Sequence, residues 1–269
     1  MSDSSDIKQK ASKWTPFVFI TLLLCAAIVR AETDSCTTKH FDETVTVTQI
    51  YDGDTIKLAD GRKLRLIGIN TPERGREGKK DQPFYSEAKN QLQQIIKKNQ
   101  YQLNIVLGRD KHDRYKRLLA HIFTLNGQNI STVLLKKGLG YTIAIPPNIK
   151  FLECYKTAEN EAKKFNRGIW DHPFSKSINA SSISKSHLGF QRVTGKVLRV
   201  GESKSSFWLN LDKKFALKIQ KKYLSYFTSY HPSTLLNKQL TARGWVYLQN
   251  NEYRMSVKHP ASLLIQSTD

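Results

Sequence analysis

Residues Thr44 to Asn70 read TVTVTQIYDGDTIKLADGRKLRLIGIN, a run of apolar-polar alternation interrupted twice, at DGD and at ADG. A period of two marks a half-buried strand, and Gly beside Asp is turn chemistry. The stretch therefore predicts a three-strand meander made of TVTVTQI, TIKLA and KLRLIGI. Asp52 and Asp54 stand two apart in the first turn, with Gly53 between them, so an extended or tightly turned backbone brings both carboxylates to one pocket.

Working outward, RGREGKKDQP reads as a basic loop, and Ala88, Leu92, Ile95 and Ile96 give helical spacing over Ser86 to Lys98. YQLNIVLG and RLLAHIF supply two more strands. A turn at Asn126-Gly127 leads to a short helix near Ser131 to Lys137 that Gly138 ends, and IKFLECYKTAENEAKKF gives a third helix, stopped at NRGIW. Five short strands with inserted helices predict a chain that is mainly β with α (α+β), built on a five-stranded OB-type barrel with about three helices. Residues 173 to 187 are Ser-rich and poor in large apolar side chains, as a linker is. Beyond them FQRVTGKVLRV, SFWLNLD, KFALKI, QLTARGWVYLQ and EYRMSVKH read as strands, with a helix around Gln220 to Phe227. This is a second small β-rich domain, for which an OB-like barrel is one form.

The chain has 269 residues, a formal net charge of +20 and a pI near 9.8. That surplus points to a polyanionic partner, nucleic acid ahead of anionic membrane. The last third is the most basic: residues 181 to 269 hold 14 Lys or Arg against four Asp or Glu. Trp208, Tyr223, Tyr226, Trp245, Tyr247 and Tyr253 lie there, each readable either as core or as a platform for bases. At the other end, Lys8, Lys10 and Lys13 precede the apolar run WTPFVFITLLLCAAIV, with Val29 and Ala31 at signal-peptidase spacing before Glu32. Residues 1 to 31 are thus expected to be a signal peptide or an N-terminal membrane anchor. The protein would then be periplasmic or secreted in the first case, and anchored facing outside the cytoplasm in the second. Cleavage removes Cys25 and leaves Cys36 and Cys154, which fit a single disulfide or two unrelated thiols. A bridge over so long a loop contributes up to about 4 to 5 kcal/mol.

The candidate chemistry lies between Asp52 and Arg117. Thr71 precedes Pro72, which holds it extended, presents its carbonyl and aims Glu73. Oxygen ligands of this kind suit a hard cation, Ca²⁺ before Mg²⁺, and no Cys/His zinc set is visible. Arg65, leading into Asn70, and Arg117, in DRYKRLLAHIF, can clamp a phosphate.

In this order DGDTIKL, LRLIGINTPE, DKHDRYKRLLAHIF, LLKKGLG and NRGIW resemble the staphylococcal nuclease-like (thermonuclease) family over roughly Thr44 to Trp170. The resemblance implies a Ca²⁺-dependent phosphodiesterase acting on DNA and RNA with little sequence preference, with no small-molecule cofactor. It implies Asp54 and the Thr71 carbonyl as metal ligands, with Asp52 contacting the ion less directly. Glu73 activates or positions water, Arg65 and Arg117 hold the phosphate, and Arg114 and Tyr115 contact substrate. Two positions depart from the family. Asn70 replaces a metal-ligating aspartate, and in YTIAIPPN only Tyr141 stands where tyrosines pack on the nucleotide. The expected domains are 32–172 for the nuclease-like barrel, 173–187 for the linker and 188–269 for the basic β-rich part. Two functions follow as expectations: an exported, sugar-nonspecific, monomeric nuclease that prefers single strands, or a nucleic-acid-binding scaffold on a weakened barrel.

Overall fold

A computed structural model describes residues 36–75 and 78–266. The signal peptide or anchor expected at 1–31 lies outside them. Among the described residues no helix is long and apolar enough to cross a membrane.

The elements run in chain order as β1 (Glu43–Ile50), β2 (Thr55–Leu58), β3 (Lys63–Leu66), β4 (Ile69–Asn70), α1 (Tyr85–Lys98), β5 (Gln102–His112), β6 (Leu118–Phe123), α2 (Ile130–Lys136), β7 (Tyr141–Thr142) and α3 (Leu152–Lys164). β1, β2, β3, β6 and β5 close into a barrel in that neighbour order, with β3 and β6 parallel. The meander alternates as its sequence requires: Val45, Val47, Ile56, Leu58, Leu64 and Leu66 are all buried. Fully burying one such side chain is worth roughly 1.5–3 kcal/mol, which fixes the register, since a one-residue slip would turn the whole row out of the barrel core. α1 buries Ala88, Leu92 and Ile96 against this core, and α3 buries Tyr155 and Ala158. Asn129 caps α2, its side chain accepting from the Thr132 N–H at 3.2 Å. Cys36 and Cys154 are joined by a disulfide with Cα atoms 5.4 Å apart, tying the start of the described chain to α3. β5 runs four residues past the expected strand. Its polar end, Arg109 to His112, meets β6 again at His112 and Leu118 beyond a register break.

The second half contains β8 (Ile178–Asn179), β9 (Gly189–Lys196), β10 (Arg199–Glu202), β11 (Ser206–Asp212), β12 (Phe215–Gln220), β13 (Gln239–Gln249), β14 (Glu252–Ser256) and β15 (Leu263–Ile265). Neighbours run β10-β11-β12-β14-β13-β9-β8, with β15 also on β13 and with β12 and β14 parallel. β9 passes into β10 through Val197 and Leu198 alone, whose N–H groups donate to Lys238 and Asn210 carbonyls on opposite neighbours. β9 and β10 are therefore one bent strand shared by both ends of the sheet. Counted that way, the second half repeats the connectivity of the first: strands one, two, three, five, four and back to one, with three parallel to five. Its core is Val193, Phe207, Leu209, Phe215, Leu217, Ile219, Leu240 and Met255.

Two local expectations change. The helix expected around Gln220 to Phe227 is a 3-10 helix over Lys221–Tyr226, with Tyr223 and Tyr226 packed against the second core. Residues 173–187 are not an open spacer. They form short 3-10 turns, and β8 pairs in parallel with β9 through Ile178 and Val193. The Asn179 side chain caps one turn and Ser184 and His187 close a capping box on another, so polar residues that resemble a linker are here cap residues.

Candidate active site

The DGD turn carries β1 into β2 against α1. A Cβ on Gly53 would lie 2.7 Å from the Ala88 Cβ and 2.9 Å from the Thr71 side chain, so only glycine lets this turn sit so close. That contact buries Asp54. Its Oδ2 accepts from the Thr71 N–H at 2.8 Å and the Thr71 hydroxyl at 3.1 Å, and its Oδ1 accepts from the Thr55 hydroxyl at 3.1 Å. Asp52 is half-buried and turns back, its Oδ1 accepting from the Asp54 N–H at 3.0 Å. Burial, and then the neighbouring Asp54 carboxylate, push the Asp52 carboxyl up to about 7.

Arg65 comes from β3 and is buried, unlike most strand arginines. Its Nη1 donates to the carbonyls of Leu66 at 2.7 Å and Ile69 at 2.9 Å. Its Nη2 donates to Asn70 Oδ1 at 3.1 Å and lies 3.0 Å from Asp54 Oδ2. One guanidinium thus spans both side-chain oxygens that flank the site. Asn70 is held in β4 by pairing with Tyr141 of β7, and both Asn70 and Thr71 are buried.

Glu73 is exposed beyond Pro72. Its loop is fixed by residues the sequence did not single out: Gln82 accepts the Glu73 N–H at 2.8 Å and Asp81 accepts the Gly75 N–H at 2.8 Å. Arg117 opens β6, just before Leu118, which lies opposite Leu64 of β3. Asp113 was likewise missed: its carboxylate accepts Arg117 Nε at 2.7 Å, and the four-residue spacing was the available signal. Those bonds hold the Asp113 carboxyl below the usual carboxylate range against the opposing effect of its burial. Tyr115 is 63% exposed, with the Arg114 and Arg117 guanidinium groups 4.8 and 5.5 Å from its ring centre.

Tyr141 requires a correction. It is buried, its ring lies 5.3 Å from Trp170 and 5.2 Å from Phe190, and its hydroxyl donates to the Phe174 carbonyl at 3.3 Å. β9 covers it through Phe190, so it cannot offer a face to a nucleotide.

The structure thus gathers Asp54, Arg65, Asn70 and Thr71 into one bonded cluster beside Asp52, and Arg114, Tyr115 and Arg117 into a second. Among the described residues no three His, Cys, Asp or Glu side chains converge as a metal-binding group. A cation at the first cluster would therefore need Asn70's amide oxygen or a backbone carbonyl in addition to Asp54 and Asp52. That donor set is all oxygen with two carboxyl groups, which fits a hard divalent ion.

The staphylococcal nuclease homologue family model matches residues 63–172. The thermonuclease of Staphylococcus hyicus is 31% identical over 134 residues, 49% of this chain and 78% of that protein. The thermonuclease of Staphylococcus intermedius is 32% identical over 132 residues, 48% of this chain and 77% of that protein. Endonuclease YncB of Bacillus subtilis is 32% identical over 130 residues, and the matched part spans 61% of its length; for the prophage-derived endonuclease YokF of the same organism the share is 43%. With the closed barrel, the DGD turn and the Arg65 cluster, these matches establish that the chain belongs to the staphylococcal nuclease homologue family.

Proposed function

We propose that this protein is an exported, Ca²⁺-dependent nuclease that hydrolyses phosphodiester bonds of DNA and RNA without selecting the sugar. The observation that carries the reading is the buried unit in which Arg65 ties Asp54 to Asn70 while Thr71 donates twice to Asp54. Burying a carboxylate and a guanidinium is costly unless both are fully engaged. Here the outlay holds oxygen donors and positive charge side by side in a strongly basic chain.

Asp54, Asn70, the Thr71 carbonyl and Asp52 would hold the cation, which when bound neutralises the phosphodiester and favours attack by water. Arg65 keeps its charge beside the phosphate while its bonds to two carbonyls prevent it from swinging away. Arg117, aimed by Asp113, opposes the charge that develops on the phosphoryl oxygens. Glu73 orients the attacking water from a loop pinned by Gln82. Arg114 and Tyr115 contact the substrate backbone at the open side of the site. Export is supported by the Lys-led apolar run at Trp14 to Val29, and single strands are the favoured substrate because they expose phosphates and bases together.

Incubation with plasmid DNA and with RNA, in Ca²⁺ or in chelator, tests the proposal. Ca²⁺-stimulated cleavage of both is expected. Binding without cleavage under all metal conditions would replace it with the scaffold reading.

A further inference from the structure

The second barrel has an outward face that its core does not use. Along β11, Phe207, Leu209 and Leu211 point inward, which leaves Trp208 and Asn210 outward. Cross-strand register extends this face as two adjacent rows. One runs Gly201, Trp208, Lys218, Ser256; the other runs Arg199, Asn210, Ala216, Arg254, Tyr247. Trp208 is half-buried, with the Arg254 guanidinium 4.7 Å and the Lys218 ammonium 5.0 Å from its ring centre. Arg254 is oriented by two side-chain bonds, its Nη1 donating to Gln249 at 3.0 Å and its Nη2 to Glu252 at 2.9 Å. Gly201, opposite Trp208 in the register, adds no side chain to this face; a Cβ there would lie 3.8 Å from the Trp208 Cβ and 4.0 Å from Arg199 Nη2, in ordinary contact. Arg199, Lys218 and Arg254 are thus on the face, while its carboxylates, Glu252 and Asp212, stand at strand ends and are bonded to Arg254 and to the Lys214 N–H.

We infer that this face, centred on Trp208, is a binding platform for single-stranded nucleic acid, with one unstacked base on the indole and the adjoining phosphates against Arg199 and Lys218. Stacking needs an exposed base face, which a duplex hides, and two cations within about 5 Å of the centre of one aromatic ring suit a ligand that alternates flat apolar rings with anions. A protein partner would need a central apolar cluster, and this face offers one indole ringed by charge. The site would hold substrate while the first barrel cuts it, so the inference deepens the nuclease reading and rests on it for the choice of polyanion.

The test is binding of a labelled, unstructured strand of about 15 nucleotides and of its duplex to the whole protein in chelator, where no cleavage occurs. Trp208→Ala should weaken single-strand binding about tenfold and leave duplex binding within about twofold, and Trp208→Phe should restore most of the loss. Lys218→Gln should lower the salt slope of log K by about one. Near-UV circular dichroism checks that each variant is folded. Unchanged single-strand affinity in folded Trp208→Ala, equal loss for strand and duplex, or equal competition by polyglutamate would each overturn the platform. Trp208-dependent binding in a protein that never cleaves would instead sink the nuclease reading and leave the platform standing.

Discussion

The two barrels share one connectivity and use it differently. In the first, the connection from strand one to strand two is YDGD, its Gly53 and Asp54 buried against α1 and Thr71, with Arg65 reaching it from β3. In the second, the same connection is Ser203-Lys204-Ser205, exposed, and the nearest carboxylate, Glu202, is paired with Lys221. The first barrel concentrates opposite charges in a buried cluster; the second spreads like charges around an aromatic ring. A topology thus places the loop, and the residues on it decide between chemistry and adhesion.

The sharpest way to break this contrast is to damage the first barrel's cluster alone. Asp54→Ala should abolish Ca²⁺ activation. Arg65→Lys, which keeps the charge but cannot span Asp54, Asn70 and two carbonyls at once, should cost about 10²-fold or more in cleavage rate. Single-strand binding in chelator should be nearly unchanged in both variants. A comparable fall in binding would mean that the two barrels do not divide the work.

A second test asks whether the barrels are separable at all. Glu159 on α3 is buried, and Arg243 on β13 reaches it with Nη1 2.6 Å from Oε1 and 2.8 Å from Oε2. Lys163 adds a bond at 2.9 Å and the Thr142 N–H another at 3.0 Å. Although burial alone would raise it, these partners hold the Glu159 carboxyl below its ordinary range. Arg243→Ala leaves the carboxylate with Lys163 as its remaining cation and should destabilise the protein by about 3 kcal/mol. Urea unfolding followed separately by near-UV signal and by DNA binding should then show two transitions where the parent shows one. A single, unshifted transition would mean that the interface stabilises through its aromatic stack, Tyr141, Phe190 and Trp245, instead.

The first barrel was legible because its strands alternate cleanly and its turns carry Asp and Gly at fixed places. The second was legible as strands but not as a repeat, since duplicated topology survives as an in-out pattern while residue identities diverge. Its first strand also hides its unity, bending at Val197-Leu198 to serve two neighbours. Of the site, Asp54, Arg65, Asn70 and Thr71 could be assembled from the motif alone. The burial of Tyr141 could not, because Phe190 covers it from 49 positions away, and neither could the Arg243–Glu159 pair, 84 residues apart. Such contacts depend on how one barrel docks on the other, which no local pattern records.

The barrels also differ in what their cores titrate. His121 of β6 is buried among Tyr155 and Phe151, its Nδ1 2.7 Å from the Tyr155 hydroxyl, and burial followed by the Lys150 charge lowers it to about 3. The second core has no buried histidine among the described residues. Unfolded imidazole takes a proton below about pH 6.5, and the folded one does not until about 3. Between those values the unfolded chain binds one more proton, so stability falls as pH drops, by about 1.4 kcal/mol per unit from this residue. His121→Phe should flatten the pH dependence of the urea midpoint by that share. An identical slope in the variant would show that His121 is protonated in the folded barrel.

The smallest effect should come from Asn70, the uncharged side chain that Arg65 bonds in the first barrel's cluster. Asn70 Oδ1 accepts from Arg65 Nη2 at 3.1 Å, so an aspartate there would face a guanidinium that already lies 3.0 Å from Asp54. Part of the added charge is therefore neutralised before any cation arrives. The remainder should still favour a divalent ion, since the affinity of oxygen-ligand sites follows the number of charged ligands. Asn70→Asp should lower the Ca²⁺ concentration for half-maximal cleavage about three- to tenfold, less than a carboxylate without a cationic neighbour would achieve. Calcium titration of both forms, with Asp54→Ala as the inactive reference, measures it. An unchanged half-saturation point would remove Asn70 from the metal site and leave it as the acceptor that positions Arg65. A shift of 10²-fold or more would mean that Arg65 releases the new carboxylate when the ion binds, and that the bonded cluster opens during the reaction.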